Sequence, residues 1–353
     1  MEDRPRSPAL RRPVGAWKRN ARGRSAGFIP DQCQWWPARQ QVEIVEIDDR
    51  ADPDTGVAAA NSAIKSGLDG VVGPYNSGVG IKTLPIYIKA GLVPIRLTSD
   101  NETDGLGFTL QPMTDQIAPV AGKAISQWLG AKKAAIVYDR TEAYTRNVSK
   151  AVKGELDKAG VEVVAYESLD PGADDYAAEV RKLAGTGADV IYAAVYFPEG
   201  AKIAEEMLAQ KVEARCLADY GSYDTGFVED AGVKVARSCP VVGVPAPNDF
   251  GDSAKFVDEF RHEFESEPGT WSPYTYDSVN FLAEGVKGTN GFDADELNQI
   301  FSGFNAWTGW TGGVNIDPQT GNRDPATVVV TSVDKTGAFH VDSRWAAAVD
   351  APY

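Results

Sequence analysis

The sequence predicts an α/β protein of two domains. Three observations lead there. The chain has 353 residues, long for one domain and natural for two. Short apolar runs alternate with helix-patterned segments from Gln41 to Ala218. Those runs are nearly all apolar, as strands of a parallel sheet covered by helices on both faces must be, and right-handed crossovers follow.

The elements can be taken in order. Val42–Ile47 alternates as a strand does. Asp52 then suits an N-cap, and Pro53 the first helical position, where its missing N–H costs nothing. This helix stops at Gly67, a C′ glycine. Val71–Val72 starts a strand that runs into Gly73–Pro74–Tyr75–Asn76–Ser77, followed by a helix to about Lys89. Val93–Leu97 is the next strand, and Thr98–Ser99 its exit. The rhythm continues with strands at Ala134–Tyr138, Val161–Tyr166, Val190–Val195 and Ala214–Ala218, and helices at Tyr144–Ala159, Asp174–Ala184 and Glu199–Gln210. Cys239–Pro247 is apolar and proline-rich and reads as an extended crossing segment. Helices follow at Phe256–Glu265 and Tyr274–Val286, then hairpin-joined strands across Trp307–Val314, Thr327–Val333 and Ala338–Val341.

Composition narrows the function. With 43% hydrophobic and 24% charged residues, the chain is neither a disordered nor a fibrous sequence. Its longest apolar run, Val190–Phe197, is far short of the ~20 residues that span a bilayer. The net charge of −15 repels nucleic acid and anionic membranes. Residues 1–40 are the exception, carrying nine Arg or Lys against three acids. They read as a basic leader: unstructured, a targeting segment or a nucleic-acid arm. A secretory signal would need an apolar core of ~7–15 residues, and Ala26–Pro30 is the closest approach. Of the three cysteines, Cys216 and Cys239 either pair or stay as two buried thiols, with Cys33 left over.

Ligands of open parallel sheets sit beyond the carboxyl ends of the strands. Here those ends are Tyr75–Asn76–Ser77, Thr98–Ser99, Asp139–Tyr144, Tyr196–Glu199 and Asp219–Tyr220. They are rich in aromatics and hydroxyls and contain no His or Cys. Gly73–Gly80 has neither dinucleotide-fingerprint nor Walker spacing. From Gln41 onward no Gly-x-Ser-x-Gly elbow occurs, and Asp317–Gly321 lacks the carboxylates of a calcium loop. The pattern points to a binding protein without cofactor, metal or catalytic residues. Ser77, opening a helix, suits a carboxylate or is a plain N-cap. Tyr144, Tyr196 and Tyr220 either close on a ligand or pack at the core edge. Asp219 either takes an ammonium group or serves its turn.

From about Gln41 onward the chain resembles the branched-chain amino-acid (Leu/Ile/Val) binding proteins, type I solute-binding components of ABC importers. The matching pieces are Asp48–Asp49 with Asp52–Pro53, Val72–Gly73–Pro74 with Ser77, Gly91–Ile95, Gln111–Pro112, Tyr138–Asp139 with Tyr144, Tyr196–Glu199 and Thr275–Tyr276–Asp277. The resemblance implies a type I periplasmic-binding-protein fold, two Rossmann-like lobes joined by three crossing segments. Lobe 1 would comprise 41–131 plus 246–312, and lobe 2 would comprise 132–245 plus 313–353. It further implies an interlobe ligand, an extracytoplasmic location, a membrane permease as partner and a monomer. Ser77 and the Thr98–Ser99 turn (or Thr103) would hold the ligand carboxylate, while Tyr144 and Tyr196 would form an aromatic wall. The family's usual turn acid is replaced by Tyr220, with Asp219 one residue earlier.

One expectation and two rivals complete the picture. The family's first strand, central in the lobe 1 sheet, has no match in residues 1–40, so a truncated or mis-started product with an unrelated leader is expected. A ligand-sensing regulator is one rival, although Pro5, Pro8, Pro13 and Gly15 break any helix in the leader. The other is a nucleotide-dependent enzyme, which lacks a phosphate loop.

Overall fold

The computed structural model describes residues 14–20, 41–251 and 253–350. The chain divides into two units. Unit 1 takes the chain up to Gln111, Thr275–Gly309 and Gly313–Asp324, and unit 2 takes Pro112–Tyr274, Trp310–Gly312 and Pro325 onward. This division differs from the lobes drawn on the sequence. Residues 112–131, 246–274 and 310–312 cluster with unit 2, and 313–324 with unit 1. Side-chain contacts account for it: within unit 2, Trp271 stacks edge-on with Tyr220 and Tyr223, and within unit 1, Asn322 bonds Arg96 and Asp104.

In unit 1, β1 (Val14–Asn20), β2 (Gln41–Ile47), β3 (Gly70–Val72) and β4 (Pro94–Ile95) form a sheet in the order β2-β1-β3-β4. Helices α1 (Pro53–Lys65) and α2 (Ser77–Lys89) alternate with these strands. The start of α1 follows the sequence logic: Asp52 accepts the Thr55 N–H at 2.7 Å and Pro53 stands at N1. Gly67 and Gly91, with φ +82° each, end the two helices. The apolar face of β3 and β4 buries Val72, Ile95, Phe108, Phe281 and Phe301 in one core.

Strand β1 is a correction. The sequence places residues 14–20 in a leader and leaves β2 and β3 without a shared neighbour. The structure puts β1 between them, antiparallel to both, with Gly15 opposite Glu46 on one side and Val72 on the other. Two strands flanking a gap each carry a row of backbone donors and acceptors that must be paired; an inserted strand pairs both rows. The rest of the leader, with Cys33, lies outside the described residues.

Unit 2 follows with α3 (Thr114–Lys123), β5 (Lys133–Asp139), α4 (Ala143–Lys158), β6 (Glu162–Leu169), α5 (Ala177–Ala184), β7 (Val190–Ala194), α6 (Phe197–Ala209), β8 (Arg215–Ala218), α7 (Thr225–Ala236) and β9 (Val241–Gly243). After α8 (Ser253–Phe264), also in unit 2, the chain returns to unit 1 for most of α9 (Ser272–Thr289), for α10 (Ala294–Ser302) and for β10 (Trp307–Gly309), which pairs with β11 (Gly312–Val314) in a two-stranded sheet. The chain continues with β12 (Val329–Val333), β13 (Phe339–Val341) and α11 (Ser343–Val349). The large sheet runs β13-β12-β9-β8-β7-β5-β6. It is parallel from β6 to β9, and β12 and β13 are added antiparallel. Strand β7 is buried along its whole length, as a central parallel strand should be. Cys216 and Cys239 form a disulfide, which settles that alternative. No described helix is long and apolar enough to cross a membrane.

Candidate functional site

Each unit gathers one set of the expected residues at the carboxyl ends of its strands. In unit 1 the chain leaves β3 through Gly73–Pro74 and enters α2 at Ser77. Two backbone bonds fix this loop: Gly73 N–H to the Ile95 carbonyl at 2.8 Å, and Leu97 N–H to the Pro74 carbonyl at 3.1 Å. Asn76 occupies the N-cap of α2 without a side-chain bond to the helix, so no side chain of the cap satisfies the first-turn N–H groups. Ser77 is buried. Its Oγ accepts the Ser99 N–H at 3.3 Å, and its own proton meets no acceptor among the described residues. Tyr75 is half-buried beside them.

Thr98 sits against α2 because residue 80 is glycine: a Cβ there would lie 2.6 Å from the Thr98 methyl. Its hydroxyl is committed within the protein. Thr103 Oγ1 donates to the Asp100 carbonyl at 2.7 Å, so in the 2.8 Å Thr98–Thr103 pair the donor is Thr98. The fully buried Arg96 organises this turn. Its Nη1 donates to Thr103 Oγ1 at 3.2 Å, and its Nη2 to the Thr320 carbonyl at 3.3 Å and to Asn322 Oδ1. Burial lowers the Arg96 guanidinium to about 10, against the raising effect of Asp104. Arg96 escaped the sequence reading because an arginine inside an apolar strand carries no motif.

In unit 2 the hub is Asp219, fully buried at 0% exposure. Asp219 Oδ2 accepts the Tyr144 hydroxyl at 2.8 Å and the Gly221 N–H at 3.2 Å, while Oδ1 accepts the Tyr192 hydroxyl. Burial pushes the Asp219 carboxyl up, against the lowering effect of these donors. Burial and the charge of Asp219 push the Tyr144 and Tyr192 hydroxyls well above the usual phenol range. Gly221 admits the arrangement, since a Cβ there would stand 3.0 Å from the Val195 carbonyl and 3.5 Å from the Tyr144 ring.

Around this hub the rings of Tyr144 and Tyr196 lie 6.2 Å apart, and those of Tyr144 and Tyr220 6.5 Å apart. Tyr220 stands edge-on to Trp271 at 5.1 Å, and Trp271 donates its indole N–H to Asp224 at 3.1 Å. The expected Tyr144, Tyr196, Asp219 and Tyr220 are thus brought together. Tyr192 and Trp271 join them unforeseen. Tyr192 hides in an apolar strand that reads as core, and Trp271 is 51 positions beyond Tyr220 with no local signal. Among the described residues no group of His, Cys, Asp and Glu is arranged to hold a metal.

Two α/β units, each ending its strands in buried hydroxyls and aromatics, are the architecture of a type I solute-binding protein. The chain belongs to the periplasmic binding protein family, whose model matches residues 38–338. Leu/Ile/Val-binding protein homolog 1 of Brucella melitensis is 27% identical over 295 residues, covering 82% of this chain and 79% of its own. An amino acid binding protein of Pseudomonas aeruginosa is 30% identical over 261 residues, 72% of this chain and 69% of its own. Among solved structures, the leucine-binding protein LivK of Thermotoga maritima superposes with a TM-score of 0.78 at 20% identity, covering 84% of this chain and 85% of that one. LivJ of Streptococcus pneumoniae, in complex with isoleucine, gives 0.76 at 22%, covering 88% and 90%. These relatives and neighbours are substrate-binding proteins, not enzymes.

Proposed function

We propose that this protein is the extracytoplasmic solute-binding component of an ABC importer. It takes a branched-chain amino acid, or a similar small amino-acid-like solute, between its two units and delivers it as a monomer to a membrane permease. The observation that carries this reading is Ser77. Its proton has no acceptor among the described residues, and it stands on the first turn of α2, whose N-cap side chain leaves the backbone donors to other partners. A helix start of this kind favours a carboxylate by geometry and by the helix dipole. The tyrosine cluster of unit 2 supplies the aromatic surface for the rest of the solute. The Cys216–Cys239 bridge agrees with an oxidising compartment.

Two or three charge-assisted bonds at about 1.5–3 kcal/mol each and one buried aliphatic side chain at about 1.5–3 kcal/mol offset the cost of association to give a dissociation constant near micromolar, about −8 kcal/mol. Binding shifts the population toward the arrangement in which both half-sites touch the solute.

The test is calorimetry of the full chain against leucine, isoleucine, valine, phenylalanine and 4-hydroxybenzoate. At least one aliphatic amino acid should bind near micromolar, and Ser77→Ala should weaken it about 10- to 150-fold, the equivalent of one charge-assisted bond. Absence of heat across the panel, or an unchanged affinity in a folded Ser77→Ala variant, overturns the reading.

A further inference from the structure

We propose that Asp219 recognises the ligand's ammonium group at second hand, through Tyr144, by fixing that phenol as a hydrogen-bond acceptor. The inference rests on the function proposed above and names how the charged amine is selected. Burial and the bonding already made disfavour direct contact. Asp219 is fully buried. One of its oxygens takes the Tyr144 hydroxyl and the Gly221 N–H, and the other takes the Tyr192 hydroxyl. A carboxylate accepting from three protein donors has little left to offer a fourth group.

The consequence falls on Tyr144. A phenol carries one proton and two lone pairs. At 2.8 Å the Tyr144 proton is held on Asp219, so toward anything else its oxygen can only accept. The raised titration range of Tyr144 keeps that proton in place at neutral pH. A fixed acceptor backed by a buried negative charge favours a cationic donor and disfavours a carboxylate, carbonyl or hydroxyl lone pair. The rings of Tyr196 and Tyr220, 6.2 and 6.5 Å from that of Tyr144, add aromatic faces that also attract a cation. Asp219 is on this account a positioning residue, and the contact belongs to Tyr144.

Asp219→Asn tests this directly, because the amide can donate to Tyr144 and release its proton, turning the phenol from acceptor to donor. The probes are leucine and 4-methylpentanoate, which share a skeleton and differ by the ammonium group. The readout is the ratio of their dissociation constants by calorimetry. A general loss of structure would move both constants together and leave the ratio alone. The wild-type chain should prefer leucine by about 10- to 150-fold, one charge-assisted bond. Asp219→Asn should cut that preference at least tenfold. Tyr144→Phe, which removes the acceptor and keeps the acid, should cut it similarly and decides the matter if the Asn variant does not fold.

A preference unchanged in these variants, while wild type binds leucine, overturns this inference and leaves the proposed function standing. A wild-type chain that binds neither probe nor any other amino acid overturns both. A wild type that takes 4-methylpentanoate as tightly as leucine overturns the ammonium assignment alone.

Discussion

The Cys216–Cys239 bridge ties the start of β8 to the segment entering β9. Those two strands share a short parallel contact, with Ala218 opposite Val241 and the Ala218 N–H on the Pro240 carbonyl at 2.9 Å. The perturbation is Cys216→Ala with Cys239→Ala, made with Cys33→Ala in both the test and reference chains to prevent new pairings. The cysteines are 23 positions apart. The chain-entropy relation gives about 3.5 kcal/mol for a loop of that size. In a domain of 150–250 residues each kcal/mol moves the thermal midpoint by about 2–4 °C, so a fall of about 7–14 °C is expected. Calorimetric melts under oxidising conditions measure it, and reduction of the Cys33→Ala chain should reproduce it without any change of side chain. A fall under about 2 °C would show that the β8–β9 connection holds without its bridge, and the reasoning would fail.

Two further predictions concern Arg96 and Asp342. Arg96→Met should destabilise unit 1 by about 3–5 kcal/mol, since it removes a buried charge and strands the groups that Arg96 bonds. Arg96→Lys should recover only part, because an ammonium cannot span both sides as a guanidinium does; urea unfolding measures both, and a loss under about 1 kcal/mol for Met would refute the role. Asp342 caps α11 through the Arg344 and Trp345 N–H groups and also takes the Ser332 hydroxyl and the Arg344 guanidinium. Burial pushes its carboxyl up, but these bonds outweigh burial and hold it below its ordinary range. A lowered acid contributes stability above its unfolded range that disappears as pH falls through the folded one. Asp342→Asn should therefore lower the thermal midpoint at pH 7, by a difference that shrinks as pH falls below the ordinary carboxylate range; an undiminished difference at the acid end would refute it.

The alternation of apolar strands with capped helices was enough to read most of the two sheets, because local signals mark those elements. Asp52–Pro53 starts α1 and Gly67, Gly91 and Gly160 end their helices at positive φ. Helices α3, α7, α10 and α11 passed unread. Thr114–Lys123 carries Pro119 in its interior and Thr225–Ala236 has Gly232 at φ +76°, both signals of interruption. Strand β1 was illegible because its pairing with β2 and β3 is a long-range property of the sheet. The site divided along the same line. Ser77, Tyr144, Tyr196 and Tyr220 announce themselves by following strands. The commitment of Thr98 to Thr103, and of Asp219 to two tyrosines, depends on partners up to 75 positions away.

Trp271 lies with its ring edge-on to both Tyr220 and Tyr223. A tryptophan wedged between phenols collects their excitation and emits according to its own surroundings. The molecule therefore contains an intrinsic optical gauge of the aromatic cluster, read as the difference between the emission of the natural chain and that of a Trp271→Phe variant.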